Sequence, residues 1–86
     1  MQITRETVAE KIEGFLRHEV SLAALVDWAE EALREGDFAE LNYAAIRDAV
    51  ARIGVADVRA FGLTWEDCEH MLRGLGYSAR VSVVSS

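Results

Sequence analysis

Cys68, Glu69 and His70 lie in the stretch FGLTWEDCEHMLRGLGY, residues 61–77, directly after Glu66 and Asp67. A thiol, an imidazole and three carboxylates in five consecutive residues are the materials of a metal site or a thiolate nucleophile. Both chemistries need side chains that converge on one point. Thr64 can cap a helix opening at Trp65, with Asp67 in the acidic position of a capping box. On that helix Trp65, Cys68, Met71, Leu72 and Leu75 fall within about 120° of one another, while His70 points about 160° away from Cys68. Residues two apart on a helix do not face each other, so Cys68 and His70 cannot share a proton or an ion. Cys68 is expected in the core as a small apolar side chain, and His70 outside, beside Asp67. His18, the other histidine, falls near the end of the first helix, where a cation complements the helix dipole. No phosphate loop, ligand quartet or nucleophile motif is present. The expectation is a protein that is not an enzyme, with no catalytic residues, no metal and no cofactor.

The elements that carry these residues have legible start and stop signals. The chain has 86 residues, no proline and a hydrophobic fraction of 51%, which favours helix and one domain. Thr4 caps a first helix with Ile3 and Val8 as a hydrophobic staple, and Val8, Ile12, Phe15 and Leu16 form its apolar stripe to about His18. Ser21 caps a second, whose inner face is Leu22, Leu25, Val26, Ala29, Ala32 and Leu33, with Gly36 as its stop. Asp37 and Glu40 have capping-box spacing and predict the start of a third helix. Its apolar positions run Phe38, Leu41, Ala45, Ile46, Ala49, Val50 and Ile53, up to Gly54. A two-turn helix is expected within Val55 to Phe61, and a final one from Thr64 to about Arg73. The tail changes period: Tyr77, Ala79, Val81 and Val83 alternate with polar residues, as in a strand. The predicted fold is therefore all-α, a small bundle of four to five helices over residues 1–76. A single C-terminal extended β-strand or arm follows over 77–86, available for strand pairing through Tyr77, Ala79, Val81 and Val83.

Charge narrows the function. Fifteen acidic residues face nine basic ones, a formal charge of −6 that opposes attraction to nucleic acid or anionic lipid. One cysteine forms no internal disulfide, and no apolar run is long enough to span a bilayer, so a soluble cytoplasmic protein is expected. The acids are unevenly placed: Asp27, Glu30, Glu31, Glu35, Asp37 and Glu40 occupy one stretch with only Arg34 against them. Several lie in the second half of a helix, where the dipole disfavours negative charge. One reading is a solvated face that aids solubility. The other is a docking surface for a basic protein partner, with Trp28 and Tyr43 as aromatic anchors at its margin.

The expected function is thus a small acidic protein-interaction module, of the kind an antitoxin or immunity protein uses to block a nucleic-acid-cleaving toxin. Two alternatives stand beside it. VRAFGLTWEDCEHML has a helix-turn-helix outline, but its second helix opens on Glu66, Asp67 and Glu69, where a DNA reader carries Arg, Lys, Asn or Gln. A structural subunit that forms a homodimer through the C-terminal strand is the other. Acyl carriers share the small size and acidity, with a serine at the start of the second long helix. Here Val20 replaces the aspartate expected before that serine, and capping accounts for Ser21.

Overall fold

Three of the four helices among the described residues begin where the chain supplies a side-chain acceptor for the first free amides. The computed structural model describes residues 1–57 and 62–78. Among them α1 spans Arg5–Leu16, α2 Leu22–Glu35, α3 Tyr43–Gly54 and α4 Trp65–Gly74. Thr4 Oγ1 accepts the Thr7 N–H at 3.2 Å, and the Thr4 N–H is donated back to Thr7 Oγ1. Ser21 Oγ accepts from Ala24 at 3.1 Å. Thr64 and Asp67 close a full capping box on α4, as their spacing predicts. A cap of this kind is worth about 1 kcal/mol.

The ends are equally local. Leu75 closes α4, Gly76 takes the left-handed conformation at φ 93°, and the Tyr77 N–H reaches back to the Leu72 carbonyl at 2.8 Å. This is the Schellman arrangement. At the end of α1 the same geometry is built on His18, at φ 63°, with the Glu19 N–H on the Gly14 carbonyl at 2.8 Å. His18 is therefore an exposed cap in a conformation that costs a non-glycine residue about 1 kcal/mol.

The four helices enclose one buried cluster. Val8 and Ile12 from α1, Leu25, Ala29 and Ala32 from α2, Ile46, Val50 and Ile53 from α3, and Cys68, Met71 and Leu72 from α4 meet in it, closed by Ile3 and Leu75. Of the all-α bundle of four to five helices expected from periodicity, four helices are present among the described residues. No polar or charged residue is buried in it among those described. Arg52 fastens α3 to the start of α4, its Nη2 donating to the Gly62 carbonyl and to Asp67 Oδ2, each at 3.0 Å.

Two expectations are corrected. Strand structure is not confined to the C-terminus: β1, Gln2–Ile3, pairs in parallel with β2, Asp37–Phe38. Asp37 donates to the Met1 carbonyl at 2.7 Å and Ala39 to the Ile3 carbonyl at 2.9 Å. The predicted strand at 77–86 is not seen where it should begin. Tyr77 is held at the end of α4 by its bond to Leu72, while Ala79, Val81 and Val83 lie outside the described residues. The Asp37–Glu40 capping box does not form either. The amides at 37 and 39 are spent on β1, so the chain stays extended past Phe38, turns at 39–42 and starts α3 at Tyr43. Asn42 occupies the N-cap position in the left-handed region, at φ 63°, and its side chain makes no cap bond. The short helix expected within Val55 to Phe61 falls partly outside the described residues.

Gly36 joins α2 to β2 at a close approach. A Cβ there would lie 2.5 Å from the Ala32 carbonyl oxygen and 2.8 Å from Ile3 Cγ1. Gly36→Ala is therefore expected to lower stability by about 1–3 kcal/mol in urea unfolding, the range for overpacking. His18→Gly should raise it by up to about 1 kcal/mol, since it relieves the left-handed backbone.

Candidate functional site

The outer face of α2 is set by what its inner face must bury. With Leu25, Val26, Ala29 and Ala32 in the core, the helical period turns Asp27, Glu30, Glu31 and Glu35 to solvent, and all four are exposed. Asp37 and Glu40 are exposed on the following strand and turn. Four carboxylates elsewhere pair with cations, Glu13 with Arg17 at 2.7 Å, Asp67 with Arg52 at 3.0 Å, Glu69 with Arg73 at 3.8 Å and Glu6 with Arg5 at 3.4 Å, while Glu10, Glu19, Asp48, Asp57 and Glu66 make no ion pair among the described residues. Among the described residues none of the six acids from 27 to 40 makes an ion pair or a side-chain hydrogen bond. Arg34 sits in the last turn of α2 without pairing to any of them.

The two aromatic candidates separate. Trp28 is half-buried against the core, and its ring carries the Lys11 ammonium 5.7 Å from its centroid, so α1 already covers part of it. Tyr43 is 49% exposed and sets its ring edge-on to Phe38, with centroids 6.1 Å apart and planes at 82°. Leu41, assigned by periodicity to the inner face of a helix, instead stands in the turn at 78% exposure. Leu33, assigned to the inner face of α2, is 43% exposed. The signal that would have found Leu41 is the competition between β-pairing and capping at Asp37, invisible without β1.

The cysteine and histidine go to opposite sides, as their spacing requires. Cys68 is fully buried, and burial pushes its thiol up to about 11, with the Asp67 charge adding to the rise. His70 is exposed. Asp67 is held below the usual carboxylate value, first by the Thr64 backbone N–H and the Thr64 side chain, then by the charges of Arg52 and His70. Its bonds to Thr64 and Arg52 tie it into the fold rather than leave it facing a ligand. Among the described residues no three His, Cys, Asp or Glu side chains are grouped so as to hold a metal ion. Nor is any helix among them long and apolar enough to cross a membrane.

A shallow apolar depression of about 290 Å³ lies at the α1–α2 corner, lined by Phe15, Leu16, Val20 and Leu22 with His18 and Ser21 at its rim. The acidic face, without an ion pair among the described residues, is continuous in sequence with the Leu41 turn. It offers charge at long range and, at the turn, apolar surface at contact. Comparison with family models, with curated proteins and with solved structures finds no match to this chain.

The buried thiol supplies a test of the packing beneath α4. Native protein is expected to react with a thiol-specific disulfide reagent at pH 8 at least about a hundredfold more slowly than urea-unfolded protein, because the reactive thiolate is both scarce and covered. Its raised value means that the neutral thiol is favoured in the fold. Cys68 therefore leaves stability intact below pH 9.0 and subtracts from it as the pH rises toward about 11. Equal reaction rates in the two states would contradict the buried placement.

Proposed function

We propose that the chain is a protein-interaction module whose α2 face and adjoining turn bind a basic protein. The observation that carries the reading is the set of six exposed carboxylates, Asp27, Glu30, Glu31, Glu35, Asp37 and Glu40, with no cation partner among the described residues. Glu31 and Glu35 stand toward the C-terminal end of α2, where carbonyl dipoles already concentrate negative potential. Lys or Arg would serve local stability better there. Carboxylates held close together and unneutralised project a field that accelerates encounter with a cationic surface, even though each contributes little to the final affinity.

Within that reading, an inhibitor of a nucleic-acid-cleaving toxin is the function that best uses a face of this kind, since the carboxylates stand in for phosphates. Such a protein needs fast capture of a basic active site and no chemistry of its own. The rival DNA-binding reading of α4 finds less support. Glu66 is exposed in its first turn, Asp67 is occupied by Thr64 and Arg52, and Arg73 is shared with Glu69.

The test is kinetic. With the basic protein that co-purifies from the native cell in hand, its association rate should fall steeply with added salt. Glu31→Lys combined with Glu35→Lys should slow association by about tenfold or more and leave the thermal unfolding of the free chain nearly unchanged. An association rate indifferent both to salt and to the double substitution would leave this face merely solvated.

A further inference from the structure

An exposed leucine alone needs no explanation, because over half of a protein's surface is apolar. Leu41 is a different case, for its exposure is imposed by a turn fixed on both sides. On one side the Ala39 N–H is bound to the Ile3 carbonyl at 2.9 Å; on the other the Tyr43 N–H meets the Glu40 carbonyl at 3.2 Å and Ile46 the Asn42 carbonyl at 3.0 Å. Asn42 between them is left-handed, which turns the chain sharply after Leu41. The Phe38–Tyr43 ring pair braces the base of the turn. The result is a braced knob, Leu41 at 78% and Tyr43 at 49% exposure, flanked in sequence by the exposed Asp37 and Glu40, which make no ion pair among the described residues.

We infer that this turn is the contact anchor of the acidic face, and that it receives an amphipathic basic helix of the partner protein. Resting on the docking reading above, the inference adds where contact is made and what kind of surface makes it. Charge decides between occupants. A second copy of the chain would bring Asp37 and Glu40 against their own equivalents around the two leucines, and like charges brought together oppose that pairing. An apolar stripe flanked by Arg or Lys satisfies both parts at once: the stripe covers Leu41 and Tyr43, and the flanks pair with the two carboxylates. A knob held in shape beforehand loses little conformational freedom on binding, which is the property of interface residues that dominate affinity.

The experiment uses two synthetic probes against the intact chain at low ionic strength. One is a helical peptide with leucine along one face and arginine along the other; the second is an oligoarginine peptide of equal charge. The amphipathic peptide is expected to bind more tightly. Leu41→Ser should weaken that peptide by about tenfold and leave oligoarginine unaffected, while Leu41→Met keeps the preference. Because Leu41 is so exposed, the thermal unfolding of both variants should match the parent. Equal binding of the two peptides, or a Leu41→Ser variant that binds the amphipathic one as well as the parent does, overturns the anchor. If oligoarginine still binds with salt dependence in that case, the docking reading survives alone; if neither peptide binds, both fall. A parent dimer that Leu41→Ser dissociates would overturn the proposal in favour of self-association.

Discussion

Two backbone hydrogen bonds, from Asp37 to the Met1 carbonyl and from Ala39 to the Ile3 carbonyl, decide the form of the middle of this chain. They take the amides that a helix would have left free for capping, and so hold Asp37–Phe38 extended beside Gln2–Ile3. Ile3, fully buried, is drawn into the core at the point where α2 ends. The space it occupies leaves none for a side chain at residue 36. Everything downstream follows from that pairing: the turn at 39–42, the late start of α3 at Tyr43, and the outward placement of Leu41. A strand pair this short would be unstable alone. It persists because both of its ends continue into helices whose faces are already buried.

The same constraint connects packing with charge. Burying Leu25, Val26, Ala29 and Ala32 orients α2 and thereby fixes which carboxylates face outward. The pairing with β1 then extends that acidic stretch through Asp37 to the turn. Elsewhere some acids are neutralised locally, by helical i,i+4 pairs at Glu13–Arg17 and Glu69–Arg73 and by the Arg52–Asp67 bridge. Each exposed pair is worth little in stability. An acidic face and an apolar knob have different roles in binding, the first in encounter and the second in residence.

Local signals were sufficient for most of the fold. Thr4, Ser21 and Thr64 announce three helix starts, and the apolar stripes of α1, α2 and α4 contain the large core residues found there, although Leu33 of the α2 stripe is exposed. The placement of Cys68 and His70 on opposite sides followed from the helical period alone. What failed was the region where two local signals compete with a distant one. Asp37-Phe-Ala-Glu40 reads as a capping box, and Leu41 continues the periodicity of α3, yet residues 1–3 claim the backbone first. The period-2 pattern beyond Tyr77 suggested a strand, while Gln2–Ile3 and Asp37–Phe38, too short to show alternation, form the strands that are seen. Of the predicted surface, Asp27, Glu30, Glu31 and Glu35 are exposed as the helical wheel of α2 expects, while Asp37 and Glu40 are exposed on the strand and turn that replace the expected helix start. Trp28 is partly used inside the fold, Tyr43 is available, and Leu41 could not be found without knowing the partner of β2.

Where a partner touches the chain is the most direct reading of the roles given to the acidic face and the turn. Amide chemical-shift mapping, with the native basic partner titrated into the labelled protein, reads that surface residue by residue. The largest changes are predicted at 37–43, with a second band along the outward positions of α2 at Asp27, Glu31 and Glu35. Changes centred on α4, with 37–43 silent, would contradict those roles.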